Sequence, residues 1–137
     1  MMRDAFELKV VTPRRLLLEE EVREVTAPGT VGEFGVLPDH ITFLTSLEIG
    51  SMSYRDERGT HRLAVRGGFA EVANNVMTVL ADDAVFAEDI DVAAARNDLQ
   101  DADAKLRGLS PLEDTYAGLD ADRRWAQARI ETVGAAR

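Results

Sequence analysis

Polar and apolar residues alternate from Phe6 to Val11, where Phe6, Leu8 and Val10 are separated by Glu7 and Lys9. Side chains on a strand point to opposite faces in turn, so this spacing predicts a strand with one buried face. Thr12-Pro13 breaks it. Leu16-Leu17-Leu18 lies in the stretch that runs on to Glu21, and alternation returns from Val22 to Ala27. The chain then reads Pro-Gly-Thr-Val-Gly-Glu-Phe-Gly-Val-Leu-Pro-Asp-His from Pro28 to His40. Its glycines and prolines restrict or invert φ, while Val31, Phe34, Val36 and Leu37 need burial, so a tightly folded loop is expected. This loop is either a structural corner between strands or a recognition loop presenting Glu33, Phe34, Asp39 and His40.

Ile41 to Leu47 reads as another short strand. Ser51–Arg55 and Thr60–Arg66 flank Asp56-Glu57-Arg58-Gly59, which is turn chemistry, and predict a hairpin. Gly67-Gly68 precedes Phe69–Ala73, and Asn74-Asn75 tolerates the left-handed region, marking a tight turn. Val76 to Ala81 is apolar apart from Thr78 and reads as a strand buried on both sides. Strand signals spaced every ~8–12 residues suit a sandwich or barrel.

From Asp91 the period changes. Val92, Ala95, Leu99, Ala102 and Leu106 fall on one helical face. Gly108 suits a C-terminal cap, and Ser110-Pro111-Leu112-Glu113 has the form of a capping box with proline at the first helical position. Leu112, Tyr116, Leu119, Ala126, Ile130 and Val133 continue an apolar stripe, interrupted by Arg123. The expected fold class is therefore α+β: an all-β domain over residues 1–87 and an antiparallel two-helix hairpin over 88–137. The alanine-rich seams make isolated helices of this length marginal, so the hairpin must dock on something.

With 137 residues, 45% of them apolar, the chain can fill the core of one ordinary domain, or of a small domain with an appendage. The N-terminus runs straight into strand alternation, without a secretory signal, and no apolar run approaches the ~20 residues that span a bilayer. Without cysteine there is neither a disulfide nor a thiolate metal site, and a soluble protein of a reducing compartment is expected. A net charge of −9 disfavours nucleic acid and anionic lipid and favours partners with basic patches. Catalytic patterns are weak. His40 and His61 share no ligand-like spacing, and Asp82-Asp83 is more simply a strand-end turn. Asp39, His40 and Ser46 lack a nucleophile elbow, and Gly29, Gly32 and Gly35 lead into a strand rather than a helix. No catalytic residue, metal or cofactor is expected; the chain reads as a binding or coupling part.

Several ordered stretches resemble one family. Val11-Thr12-Pro13-Arg14-Arg15-Leu16, Pro28-Gly29, Gly35-Val36-Leu37-Pro38-Asp39-His40, Thr45 and Leu47 before Gly50, Gly67-Gly68-Phe69-Ala70-Glu71-Val72 and Val79-Leu80-Ala81-Asp82 are similar to the epsilon subunit of F-type ATP synthase, called delta in mitochondria. The resemblance implies a β-sandwich of about ten strands followed by a two-helix hairpin. It implies a rotor subunit at the foot of the central stalk, bound to the gamma subunit and the c ring. That subunit couples proton flow to rotation, on the cytoplasmic face of the bacterial inner membrane. Glu33, Phe34, Asp39 and His40 would face gamma and the c ring. The hairpin would reach the catalytic alpha and beta subunits, with Arg123, Arg124 and Arg129 as its basic patch, and restrain ATP hydrolysis.

The sequence departs from the family at two places. Asp39, Ile41 and Thr42 replace the usual Gly, Ala and Pro. In the Ile-Asp-x-x-Arg-Ala motif through which some members bind ATP, this chain reads Ile90-Asp91-Val92-Ala93-Ala94-Ala95. Arg96 is rotated by ~200° from the motif position, so Asp91, Arg96 and Arg123 are weak candidates and little or no ATP binding is expected. The leading alternative is a free-standing β-sandwich recognition module with a helical dimerisation tail, in which Phe34, Phe43 and Phe69 form a ligand-facing patch. A small hydrolase using His40 and Asp39 is a third reading.

Overall fold

A computed structural model describes residues 2–136. Strands β1 (Phe6–Val11), β2 (Leu16–Val22), β3 (Glu24–Gly29), β4 (Gly32–Val36), β5 (Phe43–Asp56), β6 (Gly59–Ala73), β7 (Val76–Leu80) and β8 (Ala84–Phe86) are followed by a 3₁₀ turn and helices α1 (Val92–Leu106) and α2 (Tyr116–Ala136). The strands form one sheet in the order β2-β1-β7-β6-β5-β3-β4, with β8 paired to β6.

The sheet folds over on itself because β5 and β6 are 14 and 15 residues long and serve both layers. The first part of β5 pairs with the last part of β6, beside β7, β1 and β2. The far part of β5 pairs with the first part of β6, between β3–β4 and β8. Each layer therefore contains five strand segments, and the expected ten arise from eight continuous strands. Gly50 and Gly67-Gly68, read in the sequence as breaks, lie inside these long strands. At the bend Leu47 pairs with Gly68 and Ile49 with Arg66. Gly67 and Gly68 take φ of 65° and 109° there. A Cβ on Gly68 would run into the Leu80 carbonyl oxygen, so only glycine fits.

Leu8, Val10, Val72, Met77 and Val79 of one layer close on Val25, Val36, Met52, Leu63 and Val65 of the other. β7 differs from expectation: Met77 and Val79 are buried, but Leu80 points outward and is 53% exposed. Asn74 and Asn75 both have positive φ, as the predicted turn requires.

Asp91 caps α1, its carboxylate accepting the Ala94 amide at 3.0 Å. Gly108 follows with φ of 79°. Ser110 starts a turn instead of a helix: its hydroxyl takes the Leu112 amide and its carbonyl the Glu113 amide, and α2 begins only at Tyr116. Leu112, placed on the stripe by periodicity, is consequently 93% exposed.

Candidate functional site

β3 and β4 form an edge hairpin around a tight turn at Thr30-Val31, with Gly29 opposite Gly32. The Pro28–Val36 stretch is thus mostly strand, and the true loop is 37–42. Glu33 is exposed on β4, opposite Pro28. Phe34 is half-buried against Phe43, with ring centroids 5.3 Å apart, and the His40 ring stands edge-on to Phe43 at 5.8 Å. Asp39 has φ of 61°. Its amide donates to Asn75 Oδ1 at 2.8 Å, and its carboxylate accepts the Arg3 amide at 2.7 Å with the Arg3 guanidinium 3.5 Å away. Asn75 Nδ2 donates to the Ala5 carbonyl. Asp39 therefore pins the loop to the N-terminal segment and the β6–β7 turn, while Glu33, Leu37 and Ile41 are left outward.

A second surface was hidden from sequence reasoning. Register places Leu16 of β2, Val11 of β1, Leu80 of β7 and Phe69 of β6 in one row across four strands. Paired residues share a face, here the outer one: Phe69 is 57% exposed, and Leu44, one pair further on, is 69% exposed. The Thr30 amide donates to the Ser46 carbonyl, which brings the β3–β4 turn and exposed Val31 beside this row. The three-phenylalanine patch does not form. Phe34 and Phe43 pack against the core, whereas Phe69 faces out.

On the other layer α2 lies against the sheet through Trp125 and Ala128, which pack with Ala64, Ile49, Val85 and Ile90. Neither residue belongs to the stripe read from the sequence; a lone tryptophan with alanine three positions on was the available signal. Arg66 Nη2 donates to Asp122 at 2.7 Å and Arg124 Nη2 to Glu48, two ion pairs between sheet and helix. The basic residues are engaged differently from a free cationic patch. Arg123 donates to Asp120 at 2.8 Å, and this contact raises the guanidinium pKa further. Arg129 donates to Asp98 of α1 at 2.9 Å and lies 5.4 Å from the Trp125 ring centroid, a cation–π contact.

Asp91, Arg96 and Arg123 share no partner: Asp91 caps α1, Arg123 holds Asp120, and Arg96 is exposed without an ion pair among the described residues. A cavity of about 250 Å³ between the helices is lined by Arg66, Lys105 and Arg129 but equally by Asp98, Asp101 and Asp122, and by none of those three candidates. Its cations are offset by carboxylates, a poor receptor for polyphosphate. Among the described residues no group of three or more His, Asp or Glu is placed to hold a metal ion.

Comparison with known proteins agrees with this architecture. The family described as the ATP synthase delta/epsilon chain β-sandwich domain matches residues 5–87. The ATP synthase epsilon chain of Citrifermentans bemidjiense is 40% identical over 98% of both chains. That of Nitratidesulfovibrio vulgaris is 45% identical over 97% of this chain and 98% of its own. Among solved structures, a chain of the Euglena gracilis mitochondrial ATP synthase (OSCP/F1/c-ring) superposes with a TM-score of 0.81 at 26% identity, over 99% of this chain and 83% of that one. A chain from the central stalk and c ring of the Tetrahymena thermophila enzyme shares the fold, with a TM-score of 0.66 at 16% identity. From strand order to hairpin, the protein belongs to the delta/epsilon family of ATP synthase subunits and is an epsilon chain, a non-catalytic part of that complex.

Proposed function

We propose that the chain is a central-stalk rotor subunit of a proton-translocating F-type ATP synthase, in which residues 1–87 bind the gamma subunit and the c ring and residues 88–137 form a regulatory arm. The observation that carries this reading is the outward row Leu16, Val11, Leu80 and Phe69 with Leu44 beside it. A sheet whose outer face carries aligned large apolar side chains is built to be covered by another subunit. Gamma is the occupant assigned to this row. Glu33, with Leu37 and Ile41 nearby, is assigned to the polar loops of the c ring; Phe34, Asp39 and His40 act there by holding the loop in shape. No described helix is long and apolar enough to cross a membrane. Attachment to the cytoplasmic face of the bacterial inner membrane is accordingly peripheral, through the complex.

For the arm, the support is how little joins it to the sandwich among the described residues: one helix face and two ion pairs. Release would free Arg124 from Glu48 and expose Trp125, giving the catalytic alpha and beta subunits a cation and an aromatic to engage. In that position the arm restrains ATP hydrolysis.

Reconstitution with a catalytic head containing gamma tests the assignment. Phe69→Ser with Leu80→Ser should leave the sandwich folded, since both residues are more than half exposed and lie outside the core, and should weaken binding at least tenfold. A Cys at Glu33 should crosslink to the c-ring loop in the whole enzyme. Undiminished binding by the double variant, or crosslinking only to beta, would refute the surface assigned here. A stable homodimer without affinity for gamma would favour the recognition-module reading.

A further inference from the structure

Glu20 stands at the centre of Glu19-Glu20-Glu21 and pairs with Leu8, a fully buried residue, so it faces the interior side of β2 while its neighbours face out. It shares a recess there with Asp56, at the end of β5, whose side chain is buried where that of Glu20 is only partly so. Asp56 Oδ1 accepts two hydrogen bonds, from the Arg58 amide at 2.8 Å and from His61 Nε2 at 3.0 Å. Asp56 Oδ2 is buried and has no donor among the described residues. Both carboxyl groups turn to one guanidinium nitrogen, Arg58 Nη2, which is 3.2 Å from Glu20 Oε1 and 3.9 Å from Asp56 Oδ2. Glu20, Asp56 and Arg58 line one recess, so the two carboxyl groups crowd the same guanidinium nitrogen.

Two carboxyl groups turned to one guanidinium that is itself 79% exposed are not both neutralised by it, and the buried Asp56 Oδ2 needs a donor that only a protonated neighbour can supply. We propose that Glu20 and Asp56 form a proton-binding site, one hydrogen held between β2 and the β5–β6 hairpin, with Glu20 as donor and Asp56 Oδ2 as acceptor. The shared proton satisfies the orphaned oxygen and links the edge strand of one layer to the hairpin of the other.

The surrounding charges agree. On the turn, Glu57 is occupied by Arg23 at 3.2 Å, leaving Arg58 as the arginine facing the pair, and His61 is the other titratable group against Asp56. On β5, the Tyr54 hydroxyl is pushed up to about 12, first by burial and then by Glu20 and Asp56, so it stays neutral. Its ring stacks on His61 of β6 at 5.0 Å. Glu19 and Glu21 of β2 and Glu7 and Lys9 of β1 lie on the opposite strand face. The hydrogen bond to Asp56, aided by burial, raises the Glu20 pKa above 4.5, with Arg58 opposing. The same bond, with those from His61 and Arg58, holds Asp56 well below the usual carboxylate range. The two shifts have opposite sign, as a pair sharing one proton requires.

The sign follows from linkage. A carboxyl whose pKa is higher folded than unfolded stabilises the fold fully below its unfolded value, and the contribution is lost as pH rises through the folded value. For Glu20 that loss begins above 4.5. Asp56 acts in the opposite direction, only at still lower pH.

Carbon-13 carboxyl NMR of the intact chain, titrated with pH and combined with thermal unfolding, tests the proposal. The resonance absent from the Glu20→Gln variant should titrate with a midpoint above 4.5. In Asp56→Asn that midpoint should fall. Because glutamine can donate to Asp56 permanently, Glu20→Gln should be at least as stable as the parent at neutral pH, and should lack the decline in melting temperature expected of the parent on alkalinisation. A Glu20 midpoint at or below 4.5 would mean an ordinary ion pair with Arg58 and would overturn the proposal. So would a Glu20→Gln protein less stable than the parent at neutral pH, a result available even if Asp56→Asn does not fold.

Discussion

Replacing Trp125 by alanine should release the helical hairpin while leaving the sandwich folded. The indole is only 7% exposed and is the largest side chain between α2 and the sheet, where its companions include Ala64 and Ala128. A buried aromatic removes about 150–250 Å² from water. At ~25 cal/mol per Å² that is about 4–6 kcal/mol, an upper bound for a realistic unfolded reference. Truncations of buried Trp to Ala cost about 3–5 kcal/mol. By contrast, the Arg124–Glu48 side chains are 40% and 41% exposed. Such a surface pair contributes about 0–1 kcal/mol. Trp125 therefore dominates docking, and its loss should shift the docked–released equilibrium by roughly two to three and a half decades. Amide hydrogen exchange resolves the two regions. Exchange in α1 and α2 should accelerate by about a hundredfold or more, while β1, β6 and β7 keep their protection. Helix protection within a few-fold of the parent, or an equal acceleration in the strands, would refute the reasoning.

Gly68→Ala should destabilise the sandwich by more than ~2 kcal/mol, because the new methyl meets the Leu80 carbonyl at a positive φ; a urea midpoint near that of the parent would contradict this. Arg124→Ala should change docking by under about 1 kcal/mol, with the parent's extra stability screened by salt, as exchange at several ionic strengths would reveal. Calorimetry of the isolated protein with ATP should give no micromolar dissociation constant. Arg123 and Arg129 already hold Asp120 and Asp98, and each charge-assisted bond exchanged for phosphate forfeits about 1.5–3 kcal/mol.

Local alternation made much of the fold legible. β1 ends where the pattern ends, and the α1 face read from Val92 to Leu106 contains the buried Ala95 and Ala102. The misses share a cause: a periodicity argument cannot distinguish a bend from a break. Glycine at 50, 67 and 68 lets β5 and β6 turn from one layer to the other while remaining paired, so four expected strands became two. α2 misled for another reason. It packs on both α1 and the sheet, and a single-stripe reading recovers one face while omitting Trp125 and Ala128. At the candidate site, the glycine-rich stretch was conspicuous, but the outward row was not. Leu16, Leu80, Phe69 and Leu44 become neighbours only through register between strands distant in sequence. Asp39, whose residue type suggested recognition, is instead held by Arg3 and Asn75.

Truncation after Glu88 tests the division of labour most directly, because it removes the arm and leaves the outer row and β4 in place. Binding of the truncated chain to a gamma-containing catalytic head should equal that of the full chain, and the reconstituted enzyme should support proton-driven synthesis with ATP hydrolysis unchanged or raised. If truncation abolishes binding or coupling while the sandwich remains folded, or if the sandwich unfolds without its helices, the hairpin is a structural brace and the account is wrong.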